Sequence, residues 1–175
     1  MTENDLEVVF SAGQLSERIA ELGAEISRDY RGEELIAVCV LRGSFVFAAD
    51  LFRSLDADLR IDFLEVTRYG DKDVPDEELR VISDVSHDVR GKHVLLVEDI
   101  VDEGNTLWAV KRMLEGRNPA SLKICALFDK PARRRKPVRA DYVGFTIEDR
   151  FVIGFGMDYK QKYRNIPYLA AVKKR

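Results

Sequence analysis

The stretch "VLLVEDIVDEGNTLWAV", residues 94–110, decides how the sequence is interpreted. It begins with an uninterrupted apolar run at 94–97, and this run leads directly into Glu98 and Asp99. A run without alternation is typical of a strand that is covered on both faces, and such strands belong to parallel sheets. Because ligands of parallel sheets bind beyond the carboxyl ends of the strands, we expect the two acids to lie at a ligand site.

The residues after the acid pair predict a phosphate-binding turn at 102–106. An amphipathic pattern at 105–116 predicts that this turn leads into a helix, which ends at Gly116. The first N–H groups of a helix lack internal partners and carry the positive end of its dipole, so they attract anions. Gly104 lets the backbone approach such a ligand, and Thr106 adds a hydroxyl.

Other interpretations of this stretch stay open at the level of the residues alone. Asp102 or Asn105 could simply cap the helix, because a capping side chain at a helix start is routine. The acid pair cannot help to bind phosphate, but it could hold ribose hydroxyls, hold Mg²⁺ through water, or accept a proton. The turn is not a Walker-type loop, since no Lys-Ser/Thr pair follows a glycine, and its spacing differs from that of an EF-hand.

The remainder of the chain alternates strand and helix patterns. Ser11 and Gln14 form a capping-box sequence before a helix whose apolar face lies within 15–26. Further segments are predicted as a strand at 35–41, a helix at 43–52, a strand at 59–67 and a strand at 123–128. This alternation favours an α/β fold with a mainly parallel twisted sheet flanked by helices. Two pieces rich in glycine and aromatic residues, 141–147 and 151–157, predict a small β-rich region over one end of the sheet.

Composition narrows the class of protein. The 175 residues are 46% hydrophobic and 34% charged, which suits one domain over 1–175, with a core at about 10–130 and a C-terminal segment at about 131–175. No apolar run is long enough to span a bilayer and the N-terminus lacks a secretory pattern, so we expect a cytoplasmic protein. With a net charge of −3, the protein as a whole has no positive field that would attract nucleic acid. Cys39 and Cys125 lie in apolar runs and are predicted to be buried, reduced thiols.

Two charged segments fall outside the strand and helix patterns. Residues 68–79 contain a Pro and a Gly without periodicity, and a loop of this length in a compact domain is usually functional or disordered. Residues 132–139, "ARRRKPVR", form a basic cluster. We expect this cluster to be a solvated surface loop, with a subunit interface or an anion site as the alternatives.

The segment 94–107 closely resembles the ribose-phosphate motif of the type I phosphoribosyltransferases. That motif consists of an apolar strand, an acid pair, two apolar residues, Asp, and a Gly-containing turn that ends in Thr. Five further segments resemble one branch of the family, the hypoxanthine-guanine phosphoribosyltransferases, in matching order and spacing: 40–51, 68–70, 128–131, 141–145 and 151–168. The resemblance covers nearly the whole chain after the first helix. It implies the type I phosphoribosyltransferase fold with a small β-rich hood.

The resemblance implies roles around the substrate 5-phosphoribosyl 1-pyrophosphate (PRPP). Glu98 and Asp99 would contact the ribose hydroxyls and help to hold Mg²⁺, and Asp102 would be the general base near N7 of the purine. The 5′-phosphate would be bound by Glu103, Gly104, Asn105 and Thr106. Pyrophosphate would be bound by Arg42, Gly43 and Arg164. In relatives, the peptide bond before the residue that matches Arg42 is often cis.

On the purine side, the resemblance implies that Lys130 donates to O6 and so selects 6-oxopurines over adenine. Phe151 would stack on the base, and the backbone of Val152 would contact the edge of the base. From the residues alone, Phe151 could be an ordinary core side chain, as aromatic residues in short strands usually are. Asp158 would complete the purine-binding residues and ligate a second Mg²⁺ together with pyrophosphate.

The chain departs from the family pattern at three positions. Arg42 stands where Lys is usual, which keeps the charge and changes the donor geometry. Arg68 precedes Tyr69 where Ser is common, within the segment 68–79 that closes over the active site in relatives and excludes water. Glu103 stands where Ser or Thr is common, so its side chain is expected to point away from the phosphate, and one hydroxyl donor is lost.

The resemblance therefore implies an enzyme of purine salvage. It would transfer phosphoribosyl from PRPP to N9 of hypoxanthine or guanine with Mg²⁺, giving IMP or GMP and pyrophosphate. A xanthine-preferring relative and a catalytically inactive PRPP-sensing regulator are the alternatives. The regulator is disfavoured because Asp102 and Lys130 are both present and the chain has no added domain. The resemblance also implies a homodimer or a homotetramer.

Overall fold

The computed structural model describes residues 5–69 and 78–173. The strands of this part are β1 Leu6–Phe10, β2 Glu34–Leu41, β3 Asp58–Tyr69, β4 Glu78–Ser83, β5 His93–Val101, β6 Ser121–Asp129, β7 Tyr142–Thr146, β8 Val152–Ile153 and β9 Leu169–Val172. The helices are α1 Ala12–Asp29, α2 Phe45–Ser54 and α3 Asn105–Glu115, with a 3-10 turn at Pro131–Arg133.

The main sheet has six strands in the order β4-β3-β2-β5-β6-β7. All of its strand pairs are parallel except β3–β4, which is antiparallel and lies at one edge. A second, antiparallel sheet in the order β1-β9-β8 forms the hood. The predicted α/β fold, with a mainly parallel sheet, flanking helices and a small β-rich hood, is confirmed.

The central strands are apolar throughout because their residues alternate between two cores. Leu35 and Cys39 of β2 contribute to the core that contains α1, α2 and the hood. Ile36 and Val38 contribute to the core on the opposite face, which contains α3. Fully burying one such aliphatic side chain stabilises the fold by about 1.5–3 kcal/mol, so both layers depend on the unbroken apolar sequence.

Helix α1 begins as the sequence predicts. Oγ of Ser11 accepts a hydrogen bond from the backbone N–H of Gln14 at 3.3 Å, and the Gln14 side chain accepts from the backbone N–H of Ser11 at 2.9 Å. This reciprocal pair is the predicted capping box. Within residues 5–69 and 78–173, no helix is both long enough and apolar enough to cross a membrane.

The end of β5 was predicted too early. The strand was expected to stop at residue 97, but it continues to Val101. The reason is the ladder with β6, which continues past the acid pair as far as the partners Val101 and Asp129. Hydrogen bonding to one neighbour is enough to keep the charged residues in an extended strand.

The composition of the hood also differs from the prediction. The piece at 141–147 does not belong to the hood, because β7 pairs in parallel with β6 and extends the main sheet. The strand expected at 151–157 is only two residues long, since Gly154 and Gly156 turn the chain with φ values of 96° and 98°. The hood is completed by β1 and β9, which no sequence pattern predicted.

The charged segment 68–79 was predicted to be a loop, and this is wrong at its two ends. The backbone of Arg68 and Tyr69 belongs to β3 and pairs with the start of β4, because the antiparallel ladder of the hairpin extends into the segment. Residues 70–77, and the side chains of Arg68 and Tyr69, lie outside the described residues. Their proposed roles therefore stay predictions.

Candidate active site

The site lies where the pairing between β2 and β5 of the main sheet ends. β5 pairs with β2 only as far as Val97, whereas its ladder with β6 continues to Val101. β2 ends at Leu41, and the chain then leaves the sheet. The last residues of β5 are therefore open on the side that faces β2, and Glu98 and Asp99 lie in this open stretch.

Glu98 and Asp99 are buried side by side, with 9% and 8% of their surfaces exposed. Oε1 of Glu98 accepts from the backbone N–H of Asp99 at 3.1 Å, and Oδ1 of Asp99 accepts from that of Ile100 at 2.7 Å. Burial and the neighbouring carboxylate raise the pKa of Glu98 well above its usual value, and burial also raises the pKa of Asp99. Such a pair ionises fully only when positive charge or hydroxyl donors compensate it, so it suits a cation or ribose hydroxyls.

The turn from β5 into α3 depends on Gly104. Its φ of 84° lies in the left-handed region, and a Cβ atom there would lie 2.7 Å from Cγ1 of Val138. The Gly104 carbonyl accepts the first helical hydrogen bond, from the N–H of Trp108 at 2.9 Å. The N-terminus of α3 opens into a cavity of about 380 Å³, which the segment 98–107 lines along its length. This cavity is called the ribose-phosphate cavity below.

The side chain of Glu103 is engaged by its neighbours. Its Oε1 lies 3.3 Å from Nη2 of Arg133 and 3.2 Å from Nη2 of Arg135. Its Oε2 accepts from Nδ2 of Asn105 at 3.1 Å. The family hydroxyl that is missing at this position is thus replaced by a carboxylate that holds two guanidinium groups close to the turn.

The segment after β2 brings Gly43 into the site and turns the Arg42 side chain outward. A cis peptide bond joins Leu41 to Arg42, as the resemblance implied. The Arg42 side chain is 67% exposed and pairs with Glu65 at 3.0 Å, and it is not among the described residues that line the site. Gly43 lines the ribose-phosphate cavity and also the neighbouring cavity described next.

A second cavity, of about 320 Å³, lies between the main sheet and the hood and is called the base cavity below. Lys130, directly after β6, is 4% exposed, and its Nζ donates to the carbonyl of Arg150 at 2.6 Å. Burial lowers the pKa of Lys130.

The side chain of Phe151 is 54% exposed and lies edge-to-face with Tyr159, at 5.7 Å between ring centres. An ordinary core role for Phe151 is therefore wrong. The buried Val152 also lines this cavity.

Asp158 and Arg164 form an ion pair at the wall of the base cavity, with 2.7 Å between Oδ1 and Nη2. Oδ2 of Asp158 accepts from the backbone N–H of Gln161 at 2.8 Å, and Nη1 of Arg164 donates to the carbonyl of Gly156 at 2.8 Å. The charge of Arg164 also opposes the effect of burial on the pKa of Asp99. The hood therefore brings one positive and one negative side chain close to the acid pair.

The two cavities share part of their lining, namely Gly43, Asp99, Ile100 and Asp102. Asp102 belongs to the turn that follows β5. Its Oδ1 is covered from solvent and lies 3.1 Å from Nε of Arg133, without the alignment of a hydrogen bond. A carboxylate at this junction can reach ligands in both cavities.

The basic cluster 132–139 was expected to be a solvated surface loop, and for Arg134 this is wrong. The Arg134 side chain is 15% exposed, pairs with Asp129, and donates to the carbonyls of Val101 and Asp102 at 3.0 Å. These bonds fasten the segment after β6 to the end of β5 and to the turn before α3.

Arg133 is a site residue that was not predicted. It lines the ribose-phosphate cavity, where its guanidinium meets the carboxylates of Asp102 and Glu103. One signal was available in the sequence. Arg133 follows Lys130 closely, and residues just after a parallel strand lie at the ligand-binding edge of the sheet.

Among residues 5–69 and 78–173, no three or more His, Cys, Asp or Glu side chains are grouped to hold a metal ion by themselves. Mg²⁺ does not need such a cage, since it is usually held by one or two carboxylates together with substrate phosphates. The adjoining carboxylates of Glu98 and Asp99 match this donor set at the ribose-phosphate cavity, and Asp158 offers a carboxylate at the base cavity. The residues present therefore fit Mg²⁺.

Comparison with known proteins identifies the family of this chain. Residues 9–160 match the family model described as the phosphoribosyl transferase domain. The hypoxanthine phosphoribosyltransferase of Salmonella typhimurium is 44% identical over 172 residues, which cover 97% of each chain. The hypoxanthine-guanine phosphoribosyltransferase of Bacillus subtilis is 38% identical over 174 residues, 99% of this chain and 97% of that one. The crystal structure of a hypoxanthine phosphoribosyltransferase from Staphylococcus aureus matches with a TM-score of 0.93 and 39% identity, covering 97% of this chain and 93% of that one. The chain therefore belongs to the phosphoribosyl transferase family, within its hypoxanthine-guanine branch.

Proposed function

We propose that this enzyme transfers the phosphoribosyl group of PRPP to N9 of hypoxanthine or guanine in purine salvage and releases pyrophosphate. The observation that carries the proposal is the shared lining of the two cavities. A ribose phosphate in one cavity and a purine in the other would meet at Asp99 and Asp102. That is where a bond between the base and C1′ of the ribose has to form.

The ribose-phosphate half is proposed to bind PRPP through the turn and the acid pair. The N-terminus of α3, with Glu103, Gly104, Asn105 and Thr106, would receive the 5′-phosphate, because its N–H groups and dipole favour an anion. Glu98 and Asp99 would accept hydrogen bonds from the ribose hydroxyls, which supply the donors that a buried acid pair needs.

Asp102 is proposed to be the general base. The N9–C1′ bond forms as the bond between C1′ and the pyrophosphate oxygen breaks, and the electron pair of that bond leaves with pyrophosphate. The purine loses a proton, which Asp102 accepts at the N7 edge of the ring. A positioned carboxylate in this role typically contributes about 10²–10⁴-fold to the rate.

Lys130 is proposed to select the base. Its Nζ is buried and uses one donor on the Arg150 carbonyl, which leaves N–H donors for a purine O6. Adenine presents an amino group there and would leave the ammonium without an acceptor. The exposed ring of Phe151 is available to stack on the base, and the backbone of Val152 would contact its edge.

The leaving group is proposed to be bound by Gly43, Arg164 and, after a turn of its side chain, Arg42. Mg²⁺, held by Glu98, Asp99 and Asp158, would neutralise negative charge on the pyrophosphate as that charge develops. Arg164 is already close to the acid pair and would add a guanidinium to the same charge.

We further propose one phosphoribosyltransferase domain over the whole chain, a cytoplasmic location and a homodimer or homotetramer. The oligomer is supported by apolar side chains on the β3–β4 edge that are left exposed by the described parts of the chain, 5–69 and 78–173. Ile61, Phe63 and Ile82 are 44%, 49% and 58% exposed. Clusters of exposed apolar residues of this kind mark interaction surfaces.

Pyrophosphate release with PRPP and Mg²⁺ tests the proposal, with hypoxanthine, guanine, xanthine and adenine measured in parallel. We expect turnover with hypoxanthine or guanine and none with adenine. The fastest turnover with xanthine would identify the xanthine-preferring alternative. PRPP binding without turnover of any purine would contradict the enzyme and favour the PRPP sensor.

A further inference from the structure

The described lining of the ribose-phosphate cavity carries more negative than positive charge. Four of the described residues that line it are acidic, namely Glu98, Asp99, Asp102 and Glu103. Only Arg133 among those described lining residues carries a positive charge. The N-terminus of α3 contributes the equivalent of about half an elementary charge, which is small beside a phosphate dianion. The cavity therefore needs a cation where the phosphate binds.

Arg133 is held at this cavity by carboxylates from two segments, the turn that contains Asp102 and Glu103 and the segment that contains Asp149. Its Nε lies 3.1 Å from Oδ1 of Asp102, its Nη2 lies 3.3 Å from Oε1 of Glu103, and its Nη1 lies 3.6 Å from Oδ1 of Asp149. None of these three contacts is shorter than 3.0 Å, and the Asp102 contact lacks the alignment of a hydrogen bond. Nη2 donates a hydrogen bond to Glu103, whereas the contacts with Asp102 and Asp149 are ion pairs, so the five N–H donors are not committed to one partner.

We propose that Arg133 is a ligand of the 5′-phosphate, and that its guanidinium turns from Asp102 onto the phosphate when the ribosyl phosphate binds. The inference rests on the proposed function. Glu103 stays as the anchor of the guanidinium, so it takes over a positioning role in place of the missing hydroxyl. The phosphate gains a charge-assisted partner, and guanidinium matches a phosphate with two parallel hydrogen bonds.

The same movement would affect the general base. With Arg133 on the phosphate, Oδ1 of Asp102 loses its nearest cation and becomes available to the purine. Phosphate binding and base activation would then be coupled through one guanidinium group. Arg133→Lys keeps the positive charge but cannot make two parallel hydrogen bonds to the phosphate, so it should preserve part of the phosphate affinity.

The test compares inhibition constants for IMP and inosine in the wild type, Arg133→Gln, Arg133→Lys and the control Arg135→Gln. Arg135 pairs with the same Glu103 oxygen, is 72% exposed and is absent from the described lining of the cavity. We expect Arg133→Gln to weaken IMP by about tenfold to a hundredfold, with Arg133→Lys between it and the wild type. Inosine, which has no phosphate, should keep its affinity in every variant. Thermal melts establish that the variants are folded.

Two results would overturn the inference. In one, IMP inhibits Arg133→Gln as strongly as it inhibits Arg135→Gln. In the other, Arg133→Gln weakens inosine as much as IMP, which would place its effect on Asp102 and the base. A wild-type protein that binds no IMP at all would instead contradict the proposed function itself, so the two failures are distinguishable.

Discussion

Gly43 and Asp99 approach so closely that a Cβ atom on residue 43 would lie 1.9 Å from Oδ2 of the aspartate. A Cβ atom on Gly156 of the hood would in turn lie 2.0 Å from the carbonyl oxygen of Gly43. The segment after β2 therefore lies in close contact with the end of β5 on one side and with the hood on the other. The absence of two side chains is what lets the two cavities join.

Gly43→Ala should abolish most activity. The added Cβ has to displace the Asp99 carboxylate, and a misplacement of about 1 Å in a catalytic site costs about a hundredfold in rate. The measurement is kcat/KM for PRPP at saturating hypoxanthine. Gly116→Ala is the control, because a Cβ there would lie 3.5 Å from its nearest neighbour and its φ of −62° is helical. Full activity in Gly43→Ala would contradict the role given to this contact.

The fold was predictable where burial on both faces left a clear pattern. The unbroken apolar runs of β2, β5 and β6 and the capping box at Ser11 and Gln14 needed no tertiary information. β1 and β9 were missed because each is short and their mutual pairing joins opposite ends of the chain. The assignment of β7 to the main sheet likewise depends on its ladder with β6, which periodicity does not reveal.

The site was predictable where it is continuous in sequence. Residues 98–106 follow one another along the ribose-phosphate cavity, so a single motif contains most of that wall. Arg133 was missed because its partners Asp102 and Glu103 lie about 30 residues earlier, and only the fold brings them together. The outward turn of Arg42 toward Glu65 was equally unpredictable, since it depends on a neighbouring strand.

Lys130→Gln should reduce kcat/KM for hypoxanthine by at least about a hundredfold, because the site loses a buried charged donor that was built for a purine oxygen. Adenine turnover, which is expected to be absent in the wild type, cannot fall further, so the preference for hypoxanthine over adenine should decrease. Steady-state kinetics with both bases measure this preference. Lys136→Gln, in the same segment, is the matched control. An unchanged preference in Lys130→Gln would remove Lys130 from base selection.

Asp62 should stabilise the fold at neutral pH. Its side chain is 6% exposed and accepts four hydrogen bonds of 2.8 Å, from the N–H groups of Phe63, Ser86 and His87 and from Nδ1 of His87. Burial raises the pKa of Asp62, but these hydrogen bonds outweigh burial and lower it overall. Because the folded pKa is the lower one, the stabilisation is fully present above the unfolded pKa and is lost as pH falls through the folded value.

Asp62→Asn should therefore lower the free energy of unfolding by about 2–3 kcal/mol at pH 7. The difference from the wild type should begin to shrink below about pH 4, where the carboxyl of the unfolded chain becomes protonated, and should continue to shrink as pH falls through the lowered folded pKa. Urea unfolding at several pH values measures both effects, with the exposed Asp56→Asn as the control. A difference that stays constant down to pH 3 would show that ionisation of Asp62 is not what stabilises the fold.

Both cysteines should be inert in the folded protein. Cys39 and Cys125 are free and buried, and burial raises the pKa of Cys39 to about 11 and raises that of Cys125 as well. A thiol that is neither exposed nor ionised does not attack a disulfide reagent. Titration with a chromogenic disulfide should detect no thiol in buffer and two per chain in denaturant. Rapid reaction in buffer would contradict the packing around β2 and β6.

The central claim is that Asp102, at the junction of the two cavities, takes the purine proton. The most direct test is the kcat for pyrophosphate release with PRPP, Mg²⁺ and hypoxanthine in the wild type, Asp102→Asn and Glu115→Gln at the far end of α3. We predict that Asp102→Asn lowers kcat by about 10²–10⁴-fold, while Glu115→Gln matches the wild type. A kcat for Asp102→Asn equal to that of the wild type would contradict the account.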